Sequence, residues 1–318
     1  MRLRTTETLS LAARFYRRYL WSWDVTAGFL AALVAFALRA YASGSLIPLS
    51  ITDVVNYLQQ DNGHGLRRAI LMLAASAVLF SATEWLFRPF WASIARGIAN
   101  IKARLISGAP RGQDPSDLVG RLASDVDFVM WNLGGMYTTF VPNLLTALVA
   151  TATVWQLSEP MGVVTVAALP LSLLILEPYL AGVERARTVE RRYYSELVHR
   201  LEERLRGTAS DEDFVRSVRM WEKGMVGQVH YDRFYWSLSL LYGYALPAAL
   251  AVMGVGEVRA RRLSIGALAG ALYALFNVFP PLVNALWGLC VLGQSVVPMR
   301  RIMEMEVTGR QELKAMAR

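Results

Sequence analysis

At 318 residues, 54% of them apolar and 18% charged, with a mean hydropathy of +0.33, the chain is too apolar for a disordered protein or an ordinary soluble globule. Its 33 Lys and Arg against 25 Asp and Glu give a net charge of +8 and a pI near 9.8. In a soluble protein that balance would point to nucleic acid. Here the basic residues are sorted between apolar runs rather than gathered in a patch, so no nucleic-acid partner is expected.

Residues 1–24 carry five arginines, and Leu9, Leu11, Phe15, Tyr19, Leu20 and Trp23 alternate there with Arg14, Arg17 and Arg18 at helical spacing. This predicts an interfacial elbow helix on the cytoplasmic side, with Tyr16, Tyr19, Trp21 and Trp23 at the headgroup level. No convincing cleavage site follows, so the first apolar run is expected to be a retained span. Apolar stretches then fall at 25–47, 68–90, 136–157, 161–183, 234–256 and 263–290. The segments 128–158 and 263–299 contain no charged residue and each exceeds the ~20 residues that cross a bilayer core. These runs are continuous and rich in Ala, Leu and Val, without the period-two alternation of a membrane barrel. The expected fold is therefore an all-α membrane protein with six long transmembrane helices.

Orientation follows from the basic residues. With the N-terminus inside, 27 of the 33 lie in 1–24, 88–121, 184–233 and 299–318. Only Arg67, Arg68, Arg259, Arg261 and Arg262 fall outside, and Arg39 is within a span. Both termini are thus expected in the cytoplasm of a multi-pass protein of the cell (plasma or inner) membrane. One cysteine, Cys290, and three scattered histidines, His64, His199 and His230, exclude an intrachain disulfide and give no metal-ligand set.

The helices are expected to outrun the membrane. From Val183 to Arg206 there is no Gly or Pro, while Val189, Tyr193, Leu197, Leu201 and Leu205 keep an apolar stripe. Glu196 with Arg200 and Glu202 with Arg206 stand four apart in the favoured order. One rod from Met161 to Arg206 would be roughly 69 Å long against a core of about 30 Å. The second span runs on through Ile94, Ile98 and Ile101 to Leu105, and the sixth to Met303. The inner excursions turn round at Ser107–Pro110, followed by the cap-like Asp114-Pro115-Ser116-Asp117, and at Gly207. There Ser210 with Asp213 fits a capping box, and Asp211 and Glu212 favour the positive end of the next helix. Capped hairpins and docking surfaces both account for these residues.

Charges within the spans admit two readings. Structurally, Glu84 pairs with Arg88 one turn on, and Glu177 reaches the interface beside Pro178. Functionally, Arg39, Glu84, Glu177, Asn277 and Asn284 line a substrate cavity, with Arg39 selecting an anionic or amphipathic cargo. Asn132, Asn143, Asn277, Asn284 and Gln294 fit interhelical hydrogen bonding, with cavity lining the alternative for Asn277 and Asn284 above all, and Gly266-x-x-x-Gly270 carries little information alone.

Several segments in order carry a family resemblance: Arg121-Leu122-Ala123-Ser124-Asp125-Val126, Pro170, Glu203-Arg204-Leu205-Arg206-Gly207 with Phe214, Leu263-Ser264-Ile265-Gly266, Pro281-Leu282 and Arg301-Ile302. Over nearly its whole length the chain resembles the transmembrane domain of ABC exporters. The resemblance implies an elbow over 1–24, a six-helix domain over 25–305 and a cytoplasmic tail over 306–318. It also implies two coupling helices, near 105–114 and 207–216. Pro110, Arg111, Gln113, Asp114, Gly207, Ser210, Asp211, Glu212, Asp213 and Phe214 would contact an ATPase. Departures from the pattern are Ala109-Pro110 in place of an aromatic pair, Ser116 in place of a glycine, and the acidic run Ser210–Asp213. No G-x-x-x-x-G-K-[ST] occurs, so ATP and Mg are expected on a separate ABC ATPase subunit and not on this chain, which carries no catalytic motif. A second transmembrane subunit, identical or different, would complete the pathway of this ATP-hydrolysing translocase. The alternatives are a proton-coupled transporter titrating Glu84 or Glu177, and a non-transporting membrane anchor for a cytoplasmic partner.

Overall fold

The computed structural model describes residues 4–107, 125–208 and 210–304. All regular structure among them is helical. Among the described residues, five helices are long and apolar enough to cross a membrane: Trp23–Gln59, Gly63–Ser107, Val126–Leu157, Asp211–Arg259 and Ile265–Glu304. The stretch expected as the fourth crossing, 161–183, is not one of them.

Proline chemistry explains that difference. Pro170 has no N–H for the carbonyl of Val166, which accepts from Leu169 instead at 3.3 Å. The uninterrupted rod expected from Met161 to Arg206 is therefore divided at 169–170 into Glu159–Ala168 and Leu171–Leu205. The second piece carries Pro178 inside and remains one helix of 35 residues, about 52 Å.

The chain forms two compact units, Val164–Ala249 and the remainder. In the larger unit α1 (Arg4–Phe15) and a π turn, Tyr16–Leu20, lead to α2 (Trp23–Tyr41). A second π turn, Ala42–Leu46, passes into α3 (Ile47–Gln59), so the first crossing extends well beyond the expected 47. Pro48 does not end it because it sits in the first turn of α3, where a missing N–H costs least. The chain reverses within 60–62, where Asp61 adopts φ +49° and Asn62 accepts the Gly65 N–H at 3.0 Å, capping α4 (Gly63–Leu86). After a single-residue break at Phe87, just before Pro89, α5 (Arg88–Ser107) continues the same path. α6 (Val126–Leu157), the start of α7 (Glu159–Ala168), residues 250–259, α10 (Ile265–Phe276), α11 (Phe279–Gln294) and α12 (296–304) complete this unit.

The expected interfacial helix packs its apolar side on the bundle. Leu11, Phe15, Tyr19 and Leu20 are buried in one cluster with Ile101, Leu105, Met130 and Ile302, while Arg14 and Arg17 stay exposed. Arg300 pairs with Glu7 at 3.1 Å, and Arg301 with Asp125 at 3.2 Å. Trp21 and Trp23 remain 72% and 77% exposed, as side chains at a lipid headgroup level would be.

The Gly266/Gly270 spacing is used, against the expectation that it means little. A Cβ on Gly266 would lie 2.5 Å from the Thr52 carbonyl oxygen, and one on Gly270 would overlap Thr52 Oγ1 and stand 2.6 Å from the Pro48 carbonyl oxygen. The glycines thus let α10 lie directly on α3. Asn132 donates to Ser295 Oγ at 3.0 Å, the interhelical role expected of it.

In the smaller unit α8 (Leu171–Leu205) and most of α9 (Asp211–Arg259) form an antiparallel hairpin. Tyr179 donates to Asp232 at 2.6 Å and Trp221 to Glu190 at 2.8 Å. Gly182 faces the Tyr231 ring, and a Cβ on Gly224 would lie 3.0 Å from the Glu190 Cα, so both positions are tight for a larger side chain. α9 has 49 residues, about 73 Å.

Candidate functional site

Arg39 lies 15 residues from Asp24 and 14 from Asp53, about 21–22 Å along its helix from either charge. Such a position leaves a guanidinium far from bulk water unless it has a partner. The partner is Glu84: Arg39 Nη1 bonds to Glu84 Oε1 across α2 and α4. The register of the turn at 60–62 makes them meet, since Arg39 stands 21 residues before Gln60 and Glu84 stands 22 after Asn62. The expected pairing of Glu84 with Arg88 is thus replaced by one between helices. Phe80 and Phe87 flank the guanidinium with ring centres 4.5 and 5.9 Å from Arg39 Cζ, a cation–π arrangement that further offsets its desolvation.

Beside this pair is a cavity of about 420 Å³, within the size range of small-molecule sites. Phe36, Arg39, Ser43 and Ile47 reach it from α2 to the start of α3. Ala77, Phe80, Ser81 and Phe87 come from α4 and the break after it. Thr138, Pro142, Asn143 and Thr146 belong to α6, and Tyr273, Asn277 and Pro281 to α10, α11 and the break between them.

Each of the four walls departs from regular α geometry where it meets the cavity. The first has the π turn Ala42–Leu46, the second the break at Phe87, the third Pro142 inside α6, and the fourth the break at 277–278. Pro142 and Pro281 have no N–H for the carbonyls of Thr138 and Asn277 one turn earlier, so both carbonyls lack their usual helical donor beside the cavity. Irregular backbone at membrane depth is tolerated where it lines a cavity. Asn143 and Asn277 spend amide N–H groups on the carbonyls of Thr139 and Tyr273, at 2.7 and 3.0 Å. The cavity therefore combines one fixed cation, aromatic faces and several hydrogen-bond acceptors.

Of the expected cavity residues, Arg39 and Asn277 line this space and Glu84 touches it through Arg39. Asn284 is half-buried in α11 and is not part of the lining. The Glu177 side chain lies outside the described residues. Phe80, Phe87, Ser43 and Tyr273 were not anticipated. Their signal was spacing, because Ala77, Phe80, Glu84 and Phe87 fall on one helical face, as do Phe36, Arg39, Ser43 and Ile47.

The second candidate region is the hairpin tip. Gly207 takes φ +75°, the Gly207 N–H donates to Arg204 O at 3.0 Å, and the Thr208 N–H to Glu203 O at 2.9 Å, which is a Schellman C-cap. Ser210 Oγ accepts the Asp213 N–H at 3.2 Å and donates to Asp213 Oδ2 at 2.7 Å, so the expected cap forms with the carboxylate turned to the hydroxyl. Arg204 bonds to Asp211 and lies 5.9 Å from the Phe214 ring centre, tying the two helix ends together. Of the segment 207–216 expected as a coupling helix, Gly207 and Thr208 are not helical, and Asp211, Glu212, Asp213 and Phe214 form the start of α9. A helix that begins on a capped serine with acids in its first turn has no local reason to break again. Pro110, Arg111, Gln113 and Asp114, with the coupling helix expected near 105–114, lie outside the described residues apart from the end of α5.

No group of three or more His, Cys, Asp or Glu among the described residues is placed to hold a metal ion. No family model matches the chain, and no curated protein matches it.

Proposed function

We propose that the protein is the membrane-spanning subunit of an ABC-type exporter, forming half of a translocation pathway driven by a separate ATPase subunit. The observation that carries this reading is the length of α8 and α9, about 52 and 73 Å against a bilayer core of about 30 Å. Rods that continue so far past the lipid and end in a tightly capped tip are suited to receiving force from a soluble motor. In this reading 159–183 also crosses, as the fourth of six spans and with its interruption at 169–170, both termini are cytoplasmic, and the tip docks on the ATPase. ATP and Mg would bind on that partner. The compactness of Val164–Ala249 as its own unit fits helices that cross to a second membrane subunit. The cavity beside Arg39 is the cargo site.

The test is uptake of labelled amphipathic solutes into inside-out vesicles containing the protein with its co-purifying ATPase. ATP-dependent accumulation that ceases when the ATPase is omitted is the expected result. Transport that needs no ATP and collapses with a proton uncoupler would instead make this a proton-coupled carrier, and absence of any flux would make it an anchor.

A further inference from the structure

The Arg39–Glu84 pair differs from a structural ion pair in how its two members are held. The guanidinium lies beside two phenylalanine rings and lines the cavity, with its side chain 29% exposed. The Glu84 side chain is 59% exposed and does not line the cavity. Arg39 is thus enclosed between rings, whereas its counter-ion is the more exposed member of the pair. Guanidinium presents a planar fork of donors that suits any carboxylate, and Glu84 already occupies it with one.

We propose that the cavity binds an amphipathic carboxylate, whose acid group takes the place of Glu84 on Arg39 while its apolar body lies against Phe36, Phe80 and Phe87. Glu84 is then an internal competitor. It keeps the cation paired when the cavity is empty and gives way to cargo of the right charge. A cationic amphiphile is disfavoured because the charge facing the cavity is positive. A neutral one gains the aromatic contacts but cannot displace Glu84. The acceptors contributed by Thr138, Asn143 and Asn277 add a preference for carboxylates that also carry N–H or O–H donors.

This deepens the reading of the cavity as the cargo site and rests on it. The test measures binding of tritiated decanoate to the full chain in phosphatidylcholine nanodiscs, by scintillation proximity with empty nanodiscs subtracted, and with decylamine and decanol as competitors. Saturable binding displaced by unlabelled decanoate and not by decylamine is expected. Arg39→Gln should weaken it at least tenfold, Arg39→Lys only a few-fold, and Glu84→Gln should tighten it several-fold by removing the competitor. Equal competition by decylamine, absence of saturable binding, or a Glu84→Gln loss matching that of Arg39→Gln would overturn the proposal. Should a single variant fail to fold, Arg39→Gln/Glu84→Gln leaves no unpaired charge and must abolish binding, and retained binding there would also overturn it. Neither nucleotide nor ATPase enters this assay. Decanoate binding without ATP-driven flux defeats the exporter reading, and flux without decanoate binding defeats counter-ion exchange.

Discussion

Individual glycines show how closely the larger unit is packed and give its clearest stability test. Gly270 sits against the backbone of α3, with the Pro48 carbonyl oxygen 2.6 Å from where a Cβ would go, whereas a Cβ on Gly135 would meet nothing within 4 Å. Gly270→Val is expected to cost about 1–3 kcal/mol, because a rigid backbone atom cannot move aside as a flexible side chain can. Gly135→Ala should leave the thermal midpoint unchanged or raise it, since alanine is the better helix former. Thermal unfolding of both variants in one detergent checks the contrast, and equal midpoints would mean that α10 does not rest on α3 in solution. The sequence displayed the Gly266/Gly270 spacing but could not reveal its use. A small-residue pair informs only once the opposing helix is known, and that helix lies more than 200 residues away.

At the scale of elements, the α8–α9 hairpin depends on two adjacent caps that share no residue. Gly207→Val forces a β-branched side chain to φ +75° and should cost about 1–3 kcal/mol. Ser210→Ala removes the acceptor for the Asp213 N–H and should cost about 1 kcal/mol. Both losses are local. Hydrogen exchange should quicken over 203–214 while the helix bodies around Tyr179–Asp232 and Trp221–Glu190 stay protected. Exchange rising equally along both helices would contradict a locally capped tip. These caps were legible in the sequence because serine, aspartate and glycine act on near neighbours. The division at 169–170 was harder to foresee. Pro178, Pro142 and Pro247 are accommodated within helices, whereas Pro170 is not, and local chemistry does not separate the two outcomes.

For the whole molecule, the number of crossings decides where the tip lies. If 159–183 crosses, residues 60–62 and 206–210 are on opposite sides of the membrane. If only five helices cross, they are on the same side. Cys290 is buried and is the chain's single cysteine, so an introduced thiol has little background. Asn62→Cys should react with a membrane-impermeant maleimide on intact cells, and Ser210→Cys only after permeabilisation. Labelling of Ser210→Cys on intact cells would remove the crossing at 159–183 and with it the docking role of the tip. Composition made the membrane and the helical class legible, because apolar run length is a direct physical requirement of the bilayer. The cavity was legible only in part: Arg39 stood out as a charge in lipid, but its partner and its aromatic flank depend on how distant helices align.

That alignment is set far from the charges themselves. Three residues at the reversal 60–62 act as a ruler, and two side chains 45 positions apart read the same mark on it. One residue added to α4 between Arg68 and Ala69 would rotate everything after it by about 100°. The acid would then point away from its base although neither had been altered. A small edit near one end of the hairpin thus becomes an electrical change deep inside it.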